Sequence, residues 1–297
     1  MRVLVTGSAG FLGRHVVARI THNPQIEKVI GYDHFDPLCG ANQKEIGVMT
    51  LSGDVTDIEY LALQVKHYKI THIIHLAAYG RNLTCAHFPL RAWNVNVNGT
   101  LNVLEVARAL KLQRVVVCSS NITLSDQITV YRESKKAVEN LVELYASMGL
   151  SVLGLRPSNI AGPGQSRTEY QPCSFAGMDL GFERDSFISI TGDGTQSRDF
   201  VNVKDVARAF ELALFSDYVG ATFDVCTGKQ ISLNEVTAKL DVPVKFIEAR
   251  VGDAKTLVSD PTRATQHLNF NAEIGIDQTI EESFPTVMRS RAQPKGA

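Results

Sequence analysis

The sequence predicts an α/β fold, in which a doubly wound parallel sheet with helices on both faces is followed by a smaller C-terminal α/β lobe. Three observations predict this fold. In the first half, short runs rich in β-branched residues alternate with longer segments of helical period. The first run leads into a glycine-rich turn, and beyond Pro157 the chain becomes rich in Gly, Pro and Ser with weak periodicity. Because parallel strands need right-handed crossovers, this order places helices on both sides of one sheet.

The elements follow from these patterns in chain order. We predict strands over residues 2–6, 28–32, 47–51, 72–76, 114–118 and 151–155, with helices over 11–21, 58–68, 91–110 and 131–148. Beyond Pro157 we predict helices over 203–214, 233–240 and 278 to about 289, and strands over 222–225 and 244–247. His75 and Trp93 are interpreted as packing residues of the fourth strand and the long third helix, since the histidines have no metal-ligand spacing.

Composition excludes several classes of function. The 30 basic and 31 acidic residues nearly cancel, which disfavours a nucleic-acid partner and favours a small molecule. Five scattered cysteines without a CxxC pair argue against a disulfide framework and a zinc site. The chain starts without a charged leader and its apolar runs are short, so we expect a soluble cytoplasmic protein with no metal and no membrane contact.

A glycine-rich turn predicts a dinucleotide site. Gly7, Gly10 and Gly13 are spaced GxxGxxG between the first strand and the first helix. Such a turn lets backbone N–H groups and the helix N-terminus approach a pyrophosphate. Asp33 closes the second strand, where a carboxylate binds the ribose hydroxyls and repels a 2′-phosphate, so the predicted cofactor is NAD. Taken alone, the pattern is also typical of a glycine-rich turn beside a surface aspartate.

Tyr131, Lys135 and Ser120 form the predicted catalytic group. Tyr131 and Lys135 lie four residues apart on one helix face, and an ammonium together with a cationic nicotinamide ring near a phenol lowers the phenol's pKa. Ser119 and Ser120 end a buried strand, where a hydroxyl reaches a ligand at the carboxyl edge of the sheet. A YxxxK pair by itself is equally typical of an exposed amphipathic helix.

These residues resemble the NAD-dependent epimerase/dehydratase branch of the extended short-chain dehydrogenases/reductases, which have a Rossmann fold. The resemblance covers nearly the whole chain, including Gly53-Asp54-Val55, His75-Leu76-Ala77-Ala78, Asn96-Val97-Asn98-Gly99-Thr100, Leu155-Arg156-Pro157-Ser158-Asn159, Arg198-Asp199-Phe200-Val201 and Arg250-Val251-Gly252-Asp253. It implies that NAD contacts Gly7, Gly10, Phe11, Leu12, Gly13, Asp33, Asp54, Val55, Leu76, Ala77, Ala78, Asn96, Tyr131, Lys135 and Pro157. It implies a nucleotide-sugar site at Tyr79, Ser120, Asn159, Arg198 and Arg250. Judged singly, Asp54 is also typical of a helix N-cap, Asn96 of a buried amide, and the arginines of surface ion pairs.

The resemblance implies that residues 1–157 form an NAD-binding domain and residues 158–297 a substrate lobe, with a segment near 200–225 returning to the first domain. It also implies a homodimer paired through helices 91–110 and 131–148, for which the apolar positions are Leu101, Leu104, Leu141 and Leu144. The same leucines are equally suited to packing on the sheet.

The chain departs from this family in two segments. Tyr131 follows Ser120 by only 11 residues, which shortens the loop over the sugar, and Ser120-Asn121-Ile122 lacks the carboxylates of the related 4,6-dehydratases. Residues 165–189 are expected to lack the family's apolar helix, because they carry Arg167, Glu169, Asp179, Glu183, Arg184 and Asp185.

The leading hypothesis is NAD-dependent 4-epimerisation of a UDP-sugar. The alternatives are a sugar-nucleotide reductase or dehydrogenase using NAD(P), and a non-catalytic NAD-binding regulatory protein.

Overall fold

The computed structural model describes residues 1–35, 47–165, 174–249 and 255–292. The strands are β1 (Arg2–Thr6), β2 (Lys28–Asp33), β3 (Thr50–Ser52), β4 (His72–His75), β5 (Arg114–Cys118), β6 (Val152–Pro157), β7 (Asn159–Ala161), β8 (Ile188–Thr191), β9 (Ser197–Arg198), β10 (Phe200–Asn202), β11 (Thr222–Val225), β12 (Ile231–Ser232) and β13 (Val244–Ile247). The helices are α1 (Phe11–Thr21), α2 (Ile58–His67), α3 (Asn82–His87), α4 (Pro89–Trp93), α5 (Gly99–Ala109), α6 (Val130–Ser147), α7 (Phe175–Asp185), α8 (Val203–Leu214), α9 (Leu233–Leu240), α10 (Thr262–Leu268), α11 (Ile276–Ser283) and α12 (Pro285–Ala292).

The main sheet has seven parallel strands in the order β11-β6-β5-β4-β1-β2-β3. The predicted doubly wound fold is therefore confirmed. The strand order reverses at β1, which pairs with β2 on one side and β4 on the other. At such a reversal the connections leave in opposite directions, so a crevice opens at the carboxyl ends of β1 and β4.

Alternating side chains of each strand supply two cores, one on each face of the sheet. Val3 and Val5 of β1 belong to the core that α1 and α8 cover, whereas Leu4 belongs to the core beneath α2, α5 and α6. All three side chains are fully buried. Burial of one such side chain contributes about 1.5–3 kcal/mol, which explains why both faces of the strand are apolar.

The chain returns to the main sheet after leaving it. Strand β11 pairs in parallel with β6, and α8 packs against α1. The division into two domains, with a segment near 200–225 returning to the first, stays a prediction.

A third apolar core lies in the C-terminal lobe, around three short two-stranded sheets. Phe175 stacks on Phe200 with ring centroids 4.1 Å apart, and Phe284 closes the cluster at 5.1 Å from Phe175. These rings hold β7 and β10 beside the carboxyl edge of the main sheet, so the lobe stands over the crevice.

The expectation that residues 165–189 lack an apolar helix is wrong. Helix α7 begins at Phe175 after Ser174, whose hydroxyl accepts a hydrogen bond from the Gly177 N–H, and Phe175 and Met178 are buried. Asp179 is also buried, because its carboxylate accepts hydrogen bonds from the Thr286 and Val287 N–H groups at the start of α12. Two glycines and this buried carboxylate interrupt the apolar spacing of the helix in the sequence, which is why the helix was not predicted. Arg167 and Glu169 lie outside the described residues.

Two other elements differ from the prediction. The helix predicted over 278–289 is broken at Phe284, because Pro285 disfavours a helical conformation at the residue before it and cannot donate a backbone hydrogen bond. The long helix contains a π-helical turn at Asn94–Asn98 between α4 and α5, and the side chain of Trp93 stays 41% exposed instead of packing.

His75 is a buried residue of β4, as predicted. Its two ring nitrogens lie 2.7 Å from the Thr6 hydroxyl and 3.0 Å from the Thr100 hydroxyl. Burial lowers the pKa of His75 to about 3. In the described ranges, no group of residues is arranged to hold a metal ion, and no helix is long and apolar enough to cross a membrane.

Candidate active site

A cavity of about 1130 Å³ opens at the carboxyl ends of the central strands, between the main sheet and the C-terminal lobe. It is lined by the following site residues that the sequence predicted: Gly7, Gly10, Phe11, Leu12, Gly13, Asp33, Asp54, Val55, Leu76, Ala77, Ala78, Tyr79, Ser120, Tyr131, Lys135, Pro157, Asn159 and Arg198. Asn96 does not line it, and Arg250 lies outside the described residues. The fold thus brings together residues from all parts of the chain.

The turn between β1 and α1 is shaped to approach an anion. Gly7 has a positive φ of 69°, and a Cβ there would lie 2.7 Å from the Ala77 nitrogen. A Cβ on Gly13 would lie 2.1 Å from the Gly7 carbonyl oxygen, so only glycine fits. No side chain caps α1 at Gly10, which leaves its first N–H groups directed at the cavity. This cradle fits the pyrophosphate of NAD.

Two carboxylates lie at the end of the cavity that would hold the adenosine. Asp33 is nine-tenths buried, and its oxygens accept hydrogen bonds from the Ala9 and Phe35 N–H groups at 2.9 and 2.8 Å. Burial raises the pKa of Asp33, although these hydrogen bonds oppose the shift. Asp54 accepts a hydrogen bond from the Thr56 N–H, while the cap of α2 is Asp57 and not Asp54. Each oxygen keeps a lone pair for a ribose or base donor.

Tyr131 and Ser120 meet in the middle of the cavity. The Thr129 hydroxyl caps α6, which places Tyr131 in the first turn of that helix. Burial raises the pKa of the Tyr131 phenol, and its hydrogen bond with Ser120 opposes the rise. The side chain of Lys135 is buried one turn later and donates to the Cys118 carbonyl oxygen at 2.8 Å.

With the protein groups alone, the pKa of Tyr131 is therefore raised and not lowered, because Lys135 does not offset the burial of the phenol. Desolvation of the phenol outweighs the hydrogen bond with Ser120. Burial also lowers the pKa of Lys135, which weakens the ammonium as a counter-charge. A phenolate at neutral pH thus needs a further positive charge beside Tyr131.

Ser119 has a different task from Ser120. Its hydroxyl donates to Glu139, which lies two helical turns after Tyr131 on the same face of α6. Glu139 also accepts two hydrogen bonds from Arg156 of β6, at 2.9 and 2.7 Å. Arg156 continues to Asp224 of β11 at 2.7 Å. This network fixes the end of β5, and the spacing of four residues between Tyr131, Lys135 and Glu139 was the signal that sequence reasoning missed.

Asn96 supports the cavity wall from behind. Its amide oxygen accepts from the Tyr79 N–H at 2.7 Å, and its NH₂ donates to the Tyr79 carbonyl oxygen and to the Ser134 hydroxyl. The side chain is almost fully buried and bonded to these protein partners, and its direct contact with NAD stays a prediction. The π-helical turn at Asn94–Asn98 presents this side chain to Tyr79.

The shortened loop after Ser120 still closes the site. The Ser120 hydroxyl caps a 3₁₀ turn over Asn121–Leu124, and Arg132 anchors the loop by donating to the Ser125 carbonyl oxygen at 2.6 Å. Ile128 lines the cavity but is 82% exposed, so it forms part of the rim. Sequence reasoning did not place Asn121 or Ile128 at the site.

The C-terminal lobe contributes the opposite wall. Asn159 begins β7, and its backbone N–H donates to the Asp199 carbonyl oxygen at 3.0 Å. Arg198 of β9 donates to the carbonyl oxygens of Ser197 and Lys255 at 2.7 and 3.2 Å. The fork of N–H donors on a guanidinium suits Arg198 to a phosphate oxygen.

Comparison with known proteins gives a consistent result. A model of the NAD dependent epimerase/dehydratase family matches residues 3–226. The chain is 30% identical to a putative UDP-glucose 4-epimerase of Methanocaldococcus jannaschii, over 94% of this chain and 96% of that protein. It is 29% identical to UDP-glucuronate 4-epimerase 4 of Arabidopsis thaliana over 71% of this chain, but spans only 53% of that relative's length. The structure of the UDP-glucose 4-epimerase of Thermus thermophilus in complex with NAD is similar with a TM-score of 0.83 and 26% identity, covering 97% of this chain and 99% of that one.

Proposed function

Because this chain belongs to the NAD-dependent epimerase/dehydratase family, we propose that it inverts C4 of a UDP-linked sugar through a transient 4-keto sugar. The observation that carries the proposal is the hydrogen-bonded pair of Tyr131 and Ser120, in a cavity that extends from the glycine turn to Arg198. When bound, NAD would supply a reversible hydride acceptor and a positively charged ring beside Tyr131.

Residues of the chain itself transfer the proton. The Tyr131 oxygen would take the proton of the sugar 4-hydroxyl, and C4 would become a ketone with NAD⁺, when bound, as the acceptor of its hydride. Ser120 hydrogen-bonds the same sugar oxygen and steadies it. After the ketone turns over, Tyr131 would give the proton back to the 4-oxygen, and the hydride held by bound NAD would be returned to the other face of C4, so no net oxidation would occur.

The charges around the cavity support a nucleotide-diphosphate sugar. Arg198 faces the cavity from the C-terminal lobe, opposite the glycine turn that fits the cofactor pyrophosphate. A guanidinium there neutralises a second diphosphate. Elimination of water is disfavoured, because Asp33 and Asp54 are the only carboxylates among the described lining residues and neither is beside Tyr131.

The test is Tyr131→Phe, with Tyr218→Phe as a matched control because Tyr218 is exposed and does not line the cavity. We expect Tyr131→Phe to retain NAD and to lose at least about 10²-fold in turnover, the typical contribution of a positioned base, while the control keeps its rate. Products are followed by proton NMR of UDP-glucose and UDP-glucuronate reactions. Net change at the nicotinamide absorbance in every turnover would instead indicate a reductase or dehydrogenase, and NAD binding without any product a regulatory protein.

The same proposal includes a cytoplasmic homodimer. Of the four leucines suited to a helix-paired interface, Leu104 is buried in the core on the sheet and Leu141 packs against that core. Leu101 and Leu144 are 38% and 52% exposed, and Met148 near the end of α6 is 52% exposed. These three support pairing through α5 and α6, which sedimentation velocity of wild type and Leu144→Glu would test. The odd number of scattered cysteines supports a reducing compartment.

A further inference from the structure

One guanidinium behind the cavity holds two carboxylates that belong to different elements of the fold. The Nε atom and one terminal nitrogen of Arg156 donate to Glu139 at 2.9 and 2.7 Å, and the other terminal nitrogen donates to Asp224 at 2.7 Å. The three side chains are only 12–18% exposed. We call Glu139, Arg156 and Asp224 the arginine bridge. It connects α6, β6 and β11, and none of its members lines the cavity.

The Glu139 end of the bridge holds the backbone on both sides of Ser120. The Ser119 hydroxyl donates to Glu139, and the Thr123 hydroxyl lies 3.1 Å from the same carboxylate oxygen. The Thr123 N–H in turn donates to the Ser120 carbonyl oxygen at 3.2 Å. The position of Ser120, which hydrogen-bonds the Tyr131 phenol, therefore depends on Glu139 through the neighbours of Ser120.

The Asp224 end of the bridge holds residues 255–260 of the C-terminal lobe. One carboxylate oxygen of Asp224 accepts from Arg156, and the other accepts from the Asp260 N–H at 3.0 Å. Leu257, in the middle of this segment, is buried and lines the cavity. The bridge thus reaches from the turn that carries Ser120 to a wall of the cavity on the opposite side.

The same segment contacts the strand that carries the proposed diphosphate ligand. The Lys255 carbonyl oxygen accepts hydrogen bonds from the Ser197 N–H at 3.0 Å and from Arg198 at 3.2 Å. A nucleoside diphosphate seated in the lobe would therefore meet a segment that is fixed at one end by β9 and at the other by Asp224. Because hydrogen bonds to charged groups are strong and polarise one another, a change at one carboxylate of the bridge affects the other.

Resting on the proposed nucleotide-sugar site, we propose that the arginine bridge positions Ser120 in response to the nucleotide. Binding of the nucleoside diphosphate orders residues 255–260, and the bridge couples that order to the turn that carries Ser120. Ser120 then reaches its reacting position when the nucleotide half of the substrate is seated. By thermodynamic linkage, order at the turn strengthens nucleotide binding by the same factor. The members of the bridge are positioning residues, since they touch neither the substrate cavity nor the Tyr131 hydroxyl.

UDP without a sugar tests the coupling. Hydrogen exchange measured by mass spectrometry compares the NAD-saturated wild-type protein with and without saturating UDP, in peptides that cover residues 119–125 and 255–260. UDP lacks the sugar that the proposed reaction places beside Tyr131, so it does not occupy the catalytic end itself. We nevertheless expect UDP to slow exchange in both peptides, by about two- to thirtyfold, the range that energetic coupling between sites allows.

A variant of the bridge assigns the coupling to its source. Asparagine at position 224 offers one oxygen in place of two, so Asp224→Asn keeps the bond to Arg156 or to the Asp260 N–H but not both. UDP should still slow exchange in residues 255–260 of this variant but no longer in residues 119–125. Its kcat with UDP-glucose should fall about two- to thirtyfold, with a smaller change in the Kd of UDP.

The matched control is Glu211→Gln. Glu211 is 12% exposed, like Asp224, and it also pairs with an arginine, Arg19, but it does not line the cavity and belongs to no part of the bridge. Exchange in both peptides and kcat of this variant should match the wild type. Thermal unfolding with NAD checks that each variant is folded.

The outcomes separate the bridge from the proposed reaction. Slowing confined to residues 255–260 of the wild type, or slowing in both peptides that persists in Asp224→Asn, would overturn the bridge even if UDP-glucose is epimerised. Coupled slowing that is lost in Asp224→Asn, without any epimerised product, would support the bridge and count against the reaction alone. Failure of UDP to bind would remove the nucleotide site and the bridge with it. The wild-type comparison needs no variant, so misfolding of Asp224→Asn does not remove the test.

Discussion

Replacement of Glu139 by glutamine tests the charged network behind the active site. The Glu139 carboxylate accepts hydrogen bonds from the Ser119 and Thr123 hydroxyls and two from Arg156. Glutamine has the shape of glutamate, but its NH₂ group takes the place of an acceptor oxygen. That group must then face an N–H donor of Arg156 or a hydroxyl donor. The substitution therefore removes the charge and at least one hydrogen bond, and leaves the Arg156 charge with Asp224 as its other carboxylate partner.

The magnitude follows from burial. Removing one partner of a buried ion pair costs about 3–5 kcal/mol, and a hydrogen bond to a charged group contributes about 1.5–3 kcal/mol. The Glu139 and Arg156 side chains are only 15% and 18% exposed. We therefore expect Glu139→Gln to lower the free energy of unfolding by about 2–4 kcal/mol. At about 2–4 °C per kcal/mol, Tm should fall by roughly 4–16 °C.

The assay is thermal unfolding at a fixed concentration of NAD, since bound cofactor itself raises Tm. The matched control is Glu105→Gln, which removes one partner of an exposed pair with Arg108 and should lower Tm far less, because solvent screens exposed ion pairs. Because Ser119 precedes Ser120, we also expect Glu139→Gln to lower turnover more than NAD affinity. A Glu139→Gln protein that melts no lower than Glu105→Gln would refute the view that the network holds the end of β5.

Three further predictions concern the cofactor and pH. Gly13→Ala should weaken NAD binding at least about tenfold by calorimetry, because the added Cβ would lie 2.1 Å from the Gly7 carbonyl oxygen. The control Gly181→Ala, whose added Cβ would have no atom within 4 Å, should bind NAD normally. Equal NAD affinities of the two variants would contradict this role of the turn. Asp33→Asn should reduce the preference for NAD over NADP about tenfold, and an unchanged preference would reject Asp33 as its source. Burial lowers the pKa of His75 to about 3, so the unfolded chain takes up a proton below about pH 6.5 that the folded chain excludes. This group should make the free energy of unfolding fall by up to about 1.4 kcal/mol per pH unit as pH drops from about 6.5 toward 3, and denaturant midpoints of His75→Gln should be less acid-sensitive.

The sequence determined the main sheet and the cofactor turn, because both depend on local signals. The predicted strands and helices of the first half agree with the structure to within a few residues, since β-branched runs and helical periods are read directly from neighbouring positions. The need for glycine at Gly13 is likewise local, because its Cβ would meet the carbonyl oxygen of Gly7 six residues earlier. Helix α7 was missed because its buried Asp179 binds the start of α12, more than 100 residues later.

The electrostatics of the site were decided only by the tertiary structure. A spacing of four residues puts Tyr131 and Lys135 on one face of α6, but only packing shows that burial raises the phenol's pKa and turns the ammonium to the Cys118 carbonyl oxygen. Similarly, Gly80 and Ser120 are 40 residues apart in the sequence. Both lie beside the Tyr131 hydroxyl, because β4 and β5 end side by side and the segment after each strand passes the same phenol. Desolvation and proximity depend on what surrounds a group in space, which the order of residues along the chain does not state.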